Sequence, residues 1–211
     1  MADLPTELFA DRIVAVMRAP VMRGTRAIVE ALIDSGIRSI EFTWTIADVL
    51  SHVEIASQVE GAVVGVGTVL HAQQVIDAEK AGARFVVTPS VRPAVAQAAR
   101  DRNIPFVLGA WTATEVAHAI DLEASAVKIF PAEIGGPALL KALRGPFDRT
   151  DFIPSGGVTT DNAREWLIAG ARAISVGSSI IPRISLEQGD VSEIETRARK
   201  LVAVVRALDR G

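Results

Sequence analysis

Short apolar runs rich in Val, Ile and Phe recur along the chain at fairly even intervals: RIVAVMRA (12–19), SIEFTW (39–44), AVVGVGT (62–68), RFVVTPS (84–90), PFVLGAW (105–111), SAVKIFPAE (125–133), FIPSGG (152–157) and AISVGSS (173–179). Most are nearly continuous in apolar residues, the pattern of strands covered on both faces, as in a parallel sheet. Between them lie segments with helical spacing, among them RAIVEALIDSG (26–36), AQQVIDAEKAG (72–82), RPAVAQAARDR (92–102) and NAREWLIAG (162–170). Several of these close on a glycine, a common C-terminal stop. The last helical segment opens on SEIE, where Ser192 and Glu195 have capping-box spacing and Ile194, Ala198, Leu201 and Val205 share one face.

Strand and helix alternate through eight units, with no gap for a domain linker. With right-handed crossovers this predicts an α/β fold, a single closed (β/α)8 TIM barrel over residues 1–211 with a short N-terminal helix. That is small for a class whose members run to about 250 residues. An open doubly wound sheet is the competing architecture, although it usually employs fewer strands. In a barrel, chemistry gathers at the C-terminal ends of the strands, so polar residues there become candidates.

Composition narrows the partners. Apolar residues make up 49% of the chain and charged ones 22%, with no low-complexity block, as in a soluble globular protein. A net charge of -3 gives no electrostatic reason to expect nucleic acid or an anionic membrane. The absence of cysteine excludes disulfides, thiolate metal sites and a cysteine nucleophile, and fits a reducing cytoplasm. The opening MADLPTELFADR is acidic and polar, unlike a leader, and no uninterrupted apolar run approaches the about 18 residues of a membrane span. A cytoplasmic protein is expected.

Lys128 stands out because it interrupts the apolar run SAVKIFPAE. An ammonium buried without a partner is costly, so this lysine must be either paired or used. Other polar residues fall at or near strand ends: Arg18 after the first strand, Glu41 and Thr43 on the second, Thr68 after the third and Thr88 on the fourth. Two readings of Glu41 and Lys128 stay open at this point. They form a structural ion pair inside the barrel, or Lys128 supplies a desolvated amine that attacks a carbonyl while the carboxylate shuttles protons. The threonines are also good strand formers, and Arg18 can reach solvent along its stem. PSGGVTTDN (154–162) and VGSS (176–179) place Gly156, Gly157, Gly177 and Ser178 after strands seven and eight, the usual place for a phosphate cradle in a barrel. GVGT (65–68) lacks the third glycine of a dinucleotide fingerprint, and no Walker lysine follows a glycine loop. His52, His71 and His118 are scattered over expected helices without ligand spacing, so neither a metal nor another cofactor is expected.

IVAVMRA, IEFTWT, VGVGTVL, VVTPS, VKIFPAE, IPSGGVTTDN and VGSSI come in the order and spacing of the 2-keto-3-deoxy-6-phosphogluconate (KDPG) and 4-hydroxy-2-oxoglutarate (KHG) aldolases, which the chain resembles from about residue 8 to 182. The resemblance implies a metal-independent class I aldolase, usually a homotrimer, that yields pyruvate and glyceraldehyde 3-phosphate from a phosphorylated keto-deoxy sugar acid. It also implies that Lys128 forms the Schiff base, that Glu41 is the acid/base working through a bound water, and that Arg18 and Thr68 hold the pyruvate carboxylate. Gly156, Gly157 and Ser178 match its phosphate-binding positions. The chain departs from the family at several places. Thr45 stands where many members carry arginine, Ser155 stands where gluconate-type members have threonine and galactonate-type members an apolar residue, and Trp44 and Trp111 are bulky at loop ends. The hydroxyl of Ser155 favours the gluconate type. The galactonate epimer, non-phosphorylated 4-hydroxy-2-oxoglutarate, a phosphosugar isomerase or epimerase and a non-catalytic barrel are the alternatives.

Overall fold

The structure is a computed structural model that describes residues 10–208, so the expected N-terminal helix lies outside the described residues apart from Ala10. Eight strands run in chain order: β1 (Ile13–Met17), β2 (Ser39–Thr43), β3 (Val63–Gly67), β4 (Phe85–Val87), β5 (Phe106–Ala110), β6 (Ala126–Ile129), β7 (Phe152–Pro154) and β8 (Ile174–Val176). Helices follow them: α1 (Thr25–Asp34), α2 (Val49–Ser57), α3 (Ala72–Lys80), α4 (Pro93–Asp101), α5 (Ala113–Asp121), α6 (Gly136–Arg144) after a 3-10 turn at Ala132–Ile134, α7 (Ala163–Ile168), α8 (Arg183–Gln188) and α9 (Val191–Arg206). All ladders are parallel, in the order β7-β6-β5-β4-β3-β2-β1-β8. The two ends of that order meet through an isolated bridge between Ser155 and Ser175 and a hydrogen bond from the Arg172 N–H to the Phe152 carbonyl, 2.9 Å. The result is a nearly closed (β/α)8 barrel whose seam lies between β7 and β8, and the open-sheet alternative falls away.

Side chains alternate across each strand, and this divides the core in two. Val14, Val63, Phe85, Val87, Val107, Ala126, Ile153 and Ala173 form an inner cluster that plugs the barrel. The intervening strand residues, such as Ile13, Ala15, Ile40, Phe42, Val64, Val66, Phe106 and Leu108, pack outward against the helices in a larger cluster. Among the described residues no helix is long and apolar enough to cross a membrane.

The strands are shorter than the apolar runs that announced them, three residues each in β4, β7 and β8, and those runs continue past them into bends and turns. At the last helix the expected capping box is corrected. Asp190 in extended conformation is the N-cap, and its carboxylate accepts from the Ser192 N–H, while Glu195 pairs with Arg199 one turn on. Ile194, Ala198, Leu201 and Val205 are buried on one face, as the spacing predicts. A capping box forms instead at α5, where Thr112 accepts from the Glu115 N–H and the Glu115 carboxylate accepts from the Trp111 and Thr112 N–H groups. These donors, the Thr112 N–H first, hold the Glu115 carboxyl below its ordinary range.

Candidate active site

Strand register decides which polar residues face inward. Parallel neighbours put Val14 beside Ser39 and Val16 beside Glu41, then Glu41 beside Gly65 and Thr43 beside Gly67. Four strands round the barrel, Lys128 lies between Gly109 on β5 and Ile153 on β7. Glu41 and Lys128 therefore reach towards each other across the interior, and Lys128 Nζ comes to 3.7 Å from Glu41 Oε1. Their side chains are 5% and 2% exposed for lysine and glutamate respectively, so the pair is sealed from bulk water. The separation is within Coulombic reach yet beyond hydrogen-bond length, and Glu41 Oε1 has no hydrogen-bond partner. Lys128 Nζ also lies 5.3 Å from the centre of the Phe130 ring.

Glycine makes room for this pair. A side chain at Gly67 would overlap the Glu41 carboxylate, while the backbone there would accept one. Gly67→Ala is thus expected to fold and to push the carboxylate off its position. Turnover should fall by about 10- to 100-fold, since a misplacement of an ångström can cost that much. Steady-state rates beside a thermal melt check this, and unchanged turnover would show that the carboxylate has no role there.

A void of about 10 Å³ beneath the pair is lined by Val14, Glu41, Phe85, Val87, Val107, Lys128, Ile153 and Ser175. A larger cavity of about 240 Å³ opens at the β7/β8 seam. Arg18, Ser155, Gly156, Gly157 and Ser178 all line it, with Phe130 on the side of Lys128. Gly156 and Gly157 have φ of 90° and 72°, a conformation glycine adopts without strain, and Asn162 staples the loop by donating to the Gly157 carbonyl at 2.8 Å. After β8 the Gly177 carbonyl accepts from both Ile180 and Ile181, so the N–H groups of Ser178 and Ser179 lead a helical turn and suit an anion. Ser179 donates to the Val158 carbonyl at 3.1 Å and ties the two loops together.

The remaining sequence candidates separate from these. Thr43 is fully buried, donates to the Met17 carbonyl at 3.1 Å and meets Thr45 Oγ1 at 2.8 Å. Thr68 is half-buried with a left-handed φ of 58° at the end of β3. Neither threonine lines either cavity, and Arg18 lines the larger one with the glycines. Thr88 braces a loop, donating to the Ser90 carbonyl at 2.6 Å and accepting from the Gly109 N–H. Trp44 and Trp111 are half-buried against the core. His52 contacts Thr25 at 2.7 Å, and burial, working against the Asp48 charge and the Ala47 carbonyl, holds it below the ordinary histidine range. Among the described residues no group of three or more His, Asp or Glu side chains is arranged to hold a metal ion. Sequence reasoning passes over Ser175, although its place two residues before Gly177 in an inward-facing strand is a usable signal.

Residues 6–197 match the family described as KDPG and KHG aldolase. The 2-dehydro-3-deoxy-phosphogluconate aldolase of Treponema pallidum is 32% identical over 197 residues, covering 92% of this chain and 93% of that protein. The 2-keto-3-deoxy-6-phosphogluconate aldolase of Zymomonas mobilis, solved with 3-phosphoglycerate, superposes with a TM-score of 0.87 at 30% identity, covering 97% of each chain. The KDPG aldolase of Legionella pneumophila, solved with pyruvate captured at low pH as a covalent carbinolamine, gives 0.84 at 26% identity, covering 92% of this chain and 96% of that one.

Proposed function

The chain belongs to the KDPG and KHG aldolase family and is a carbon–carbon lyase, and on that premise we propose that it cleaves 2-dehydro-3-deoxy-6-phosphogluconate to pyruvate and glyceraldehyde 3-phosphate through a Schiff base on Lys128. The observation that carries this reading is the Lys128–Glu41 pair, buried inside the barrel, with a glycine-lined cavity at the seam that shares Ser175 with the void under the pair. The pyruvate carbinolamine held by the Legionella enzyme and the 3-phosphoglycerate held by the Zymomonas enzyme support the two ends of the substrate.

In this mechanism the Lys128 amine adds to the C2 ketone, and the carbinolamine oxygen leaves as water with a proton delivered through Glu41. The C4 hydroxyl then gives its proton to the Glu41 carboxylate through a bound water, the C3–C4 electron pair moves into the iminium, and the aldehyde departs. Glu41 returns that proton to the enamine at C3, and addition of water to the resulting iminium releases pyruvate and restores the amine. One water leaves and one enters, with no net redox change, so the reaction calls for no cofactor. The family resemblance gives the carboxylate to Thr68, which lines neither cavity, while Gly156, Gly157, Ser178 and Arg18, which line the cavity at the seam, hold the phosphate, so that binding at both ends aligns the breaking bond. Ser155 keeps a hydroxyl on the wall of the cavity, which favours the gluconate over the galactonate epimer.

Cleavage assays on the gluconate substrate, its galactonate epimer and 4-hydroxy-2-oxoglutarate test the assignment. The gluconate substrate should be fastest, and Arg18→Ala should raise its KM about tenfold or more without changing that for 4-hydroxy-2-oxoglutarate. Equal activity on the non-phosphorylated substrate would remove the phosphate role from the cavity. The same reading makes the enzyme a cytoplasmic homotrimer, supported by the family resemblance and the cysteine-free chain, and sedimentation measures the subunit count.

A further inference from the structure

Five buried side-chain polar atoms among the described residues have no hydrogen-bond partner: Glu41 Oε1, Arg92 Nε, Trp111 Nε1, Trp166 Nε1 and Ser175 Oγ. Such an atom costs free energy in the folded state and calls for an explanation. Ser175 is 4% exposed, and it is the one residue that lines both the void under Lys128 and Glu41 and the anion cavity. Its inward direction follows from its place two residues beyond Ala173 of the inner cluster. It also sits at the seam, bridged to Ser155, which lines the anion cavity as well.

We infer that Ser175 is a substrate-contacting residue whose hydroxyl donates to the oxygen on C4, the atom that becomes the aldehyde oxygen on cleavage. The inference rests on the proposed aldolase reaction and follows from where the substrate's atoms must lie. With C2 bonded to Lys128 and the phosphate in the cavity, carbons 3 to 5 span the gap between them. C3 carries no oxygen, so the first polar group on the way from the amine to the phosphate is at C4. Ser155, its bridged neighbour, lines the phosphate cavity alone and meets the C4 hydroxyl from that side; of the two, the hydroxyl that also borders the void at the amine is that of Ser175. A donor at this point strengthens its bond as charge grows on the C4 oxygen during cleavage, so it favours the transition state over the ground state.

Ser175→Ala tests this with two substrates. Pyruvate has no C4 oxygen, so borohydride trapping of pyruvate on Lys128 and deuterium exchange of the pyruvate methyl group should match the parent enzyme. Cleavage of the six-carbon phosphorylated substrate should lose about 10- to 100-fold in kcat/KM. Thermal stability should hold or rise, because the variant removes a buried hydroxyl that has no partner in the free protein. Ser175→Thr, which keeps the hydroxyl, should retain more cleavage activity than Ser175→Ala. Unchanged cleavage by Ser175→Ala overturns the inference, as does an equal loss in pyruvate exchange and cleavage. If the parent enzyme itself fails to trap pyruvate, the aldolase reading has failed and this inference fails with it. Normal trapping and cleavage by the parent, with no selective loss in the variant, removes Ser175 alone.

Discussion

Replacing Lys128 by methionine is expected to abolish both turnover and the borohydride-trapped pyruvate adduct. The parent protein, incubated with pyruvate and borohydride, should gain the mass of one pyruvate less water plus two hydrogens, mapped to the peptide containing Lys128. Lys128→Met keeps the length and apolar stem of the side chain but has no nucleophile, and loss of a covalent nucleophile lowers turnover by at least about 10³-fold. The change also leaves Glu41 buried without its cation, and breaking a buried pair costs about 3–5 kcal/mol. A melt and a circular dichroism spectrum therefore accompany the assay, and Lys128→Arg, which restores the charge without a comparable nucleophile, should recover stability and stay inactive. A folded Lys128→Met protein that still traps pyruvate would place the imine on another lysine.

Glu41→Gln should separate proton transfer from imine chemistry. The amide preserves the shape beside Gly67 and Lys128 but cannot carry a proton between water and the carbinolamine. A positioned general acid or base contributes about 10²- to 10⁴-fold, so kcat should fall by that amount. Slow pyruvate trapping should persist over long incubation, because the amine is still present. Loss of trapping together with loss of folding would show that the carboxylate serves to hold the lysine in the barrel. Normal turnover by the variant would take Glu41 out of the mechanism.

Lys128 is legible as an anomaly in the amino-acid sequence alone, because a cation in a run of Ala, Val, Ile and Phe needs a reason. Glu41 is legible in the same way on the second strand. Their separation is not, since they sit on strands four positions apart around a closed sheet, and contact depends on both side chains reaching inward past Gly65, Gly67 and Gly109. Arg18 shows a different limit. Its place at the end of β1 is apparent from the chain, but its company depends on β1 pairing with β8, a neighbour more than 150 residues away, which carries it to the glycines of the seam. The expected cap of α9 fails for a local reason. Asp190 and Ser192 are both competent caps, and the extended backbone at Asp190 settles which one begins the helix.

The order of residues suffices for the alternation of eight strands and helices, the anomalous lysine and glutamate on their strands, and the glycine turns after strands seven and eight, because each is written in the chemistry of neighbouring residues. Folding in three dimensions was needed to put the barrel's seam at β7 and β8, to bring Arg18 to the glycine-lined cavity there, and to set the unpartnered hydroxyl of Ser175 on the walls of both that cavity and the void under the Lys128–Glu41 pair. Those facts depend on closing the sheet. Closure brings together residues that no local pattern relates, and a serine in a strand shows its purpose only once its neighbours across the barrel are known.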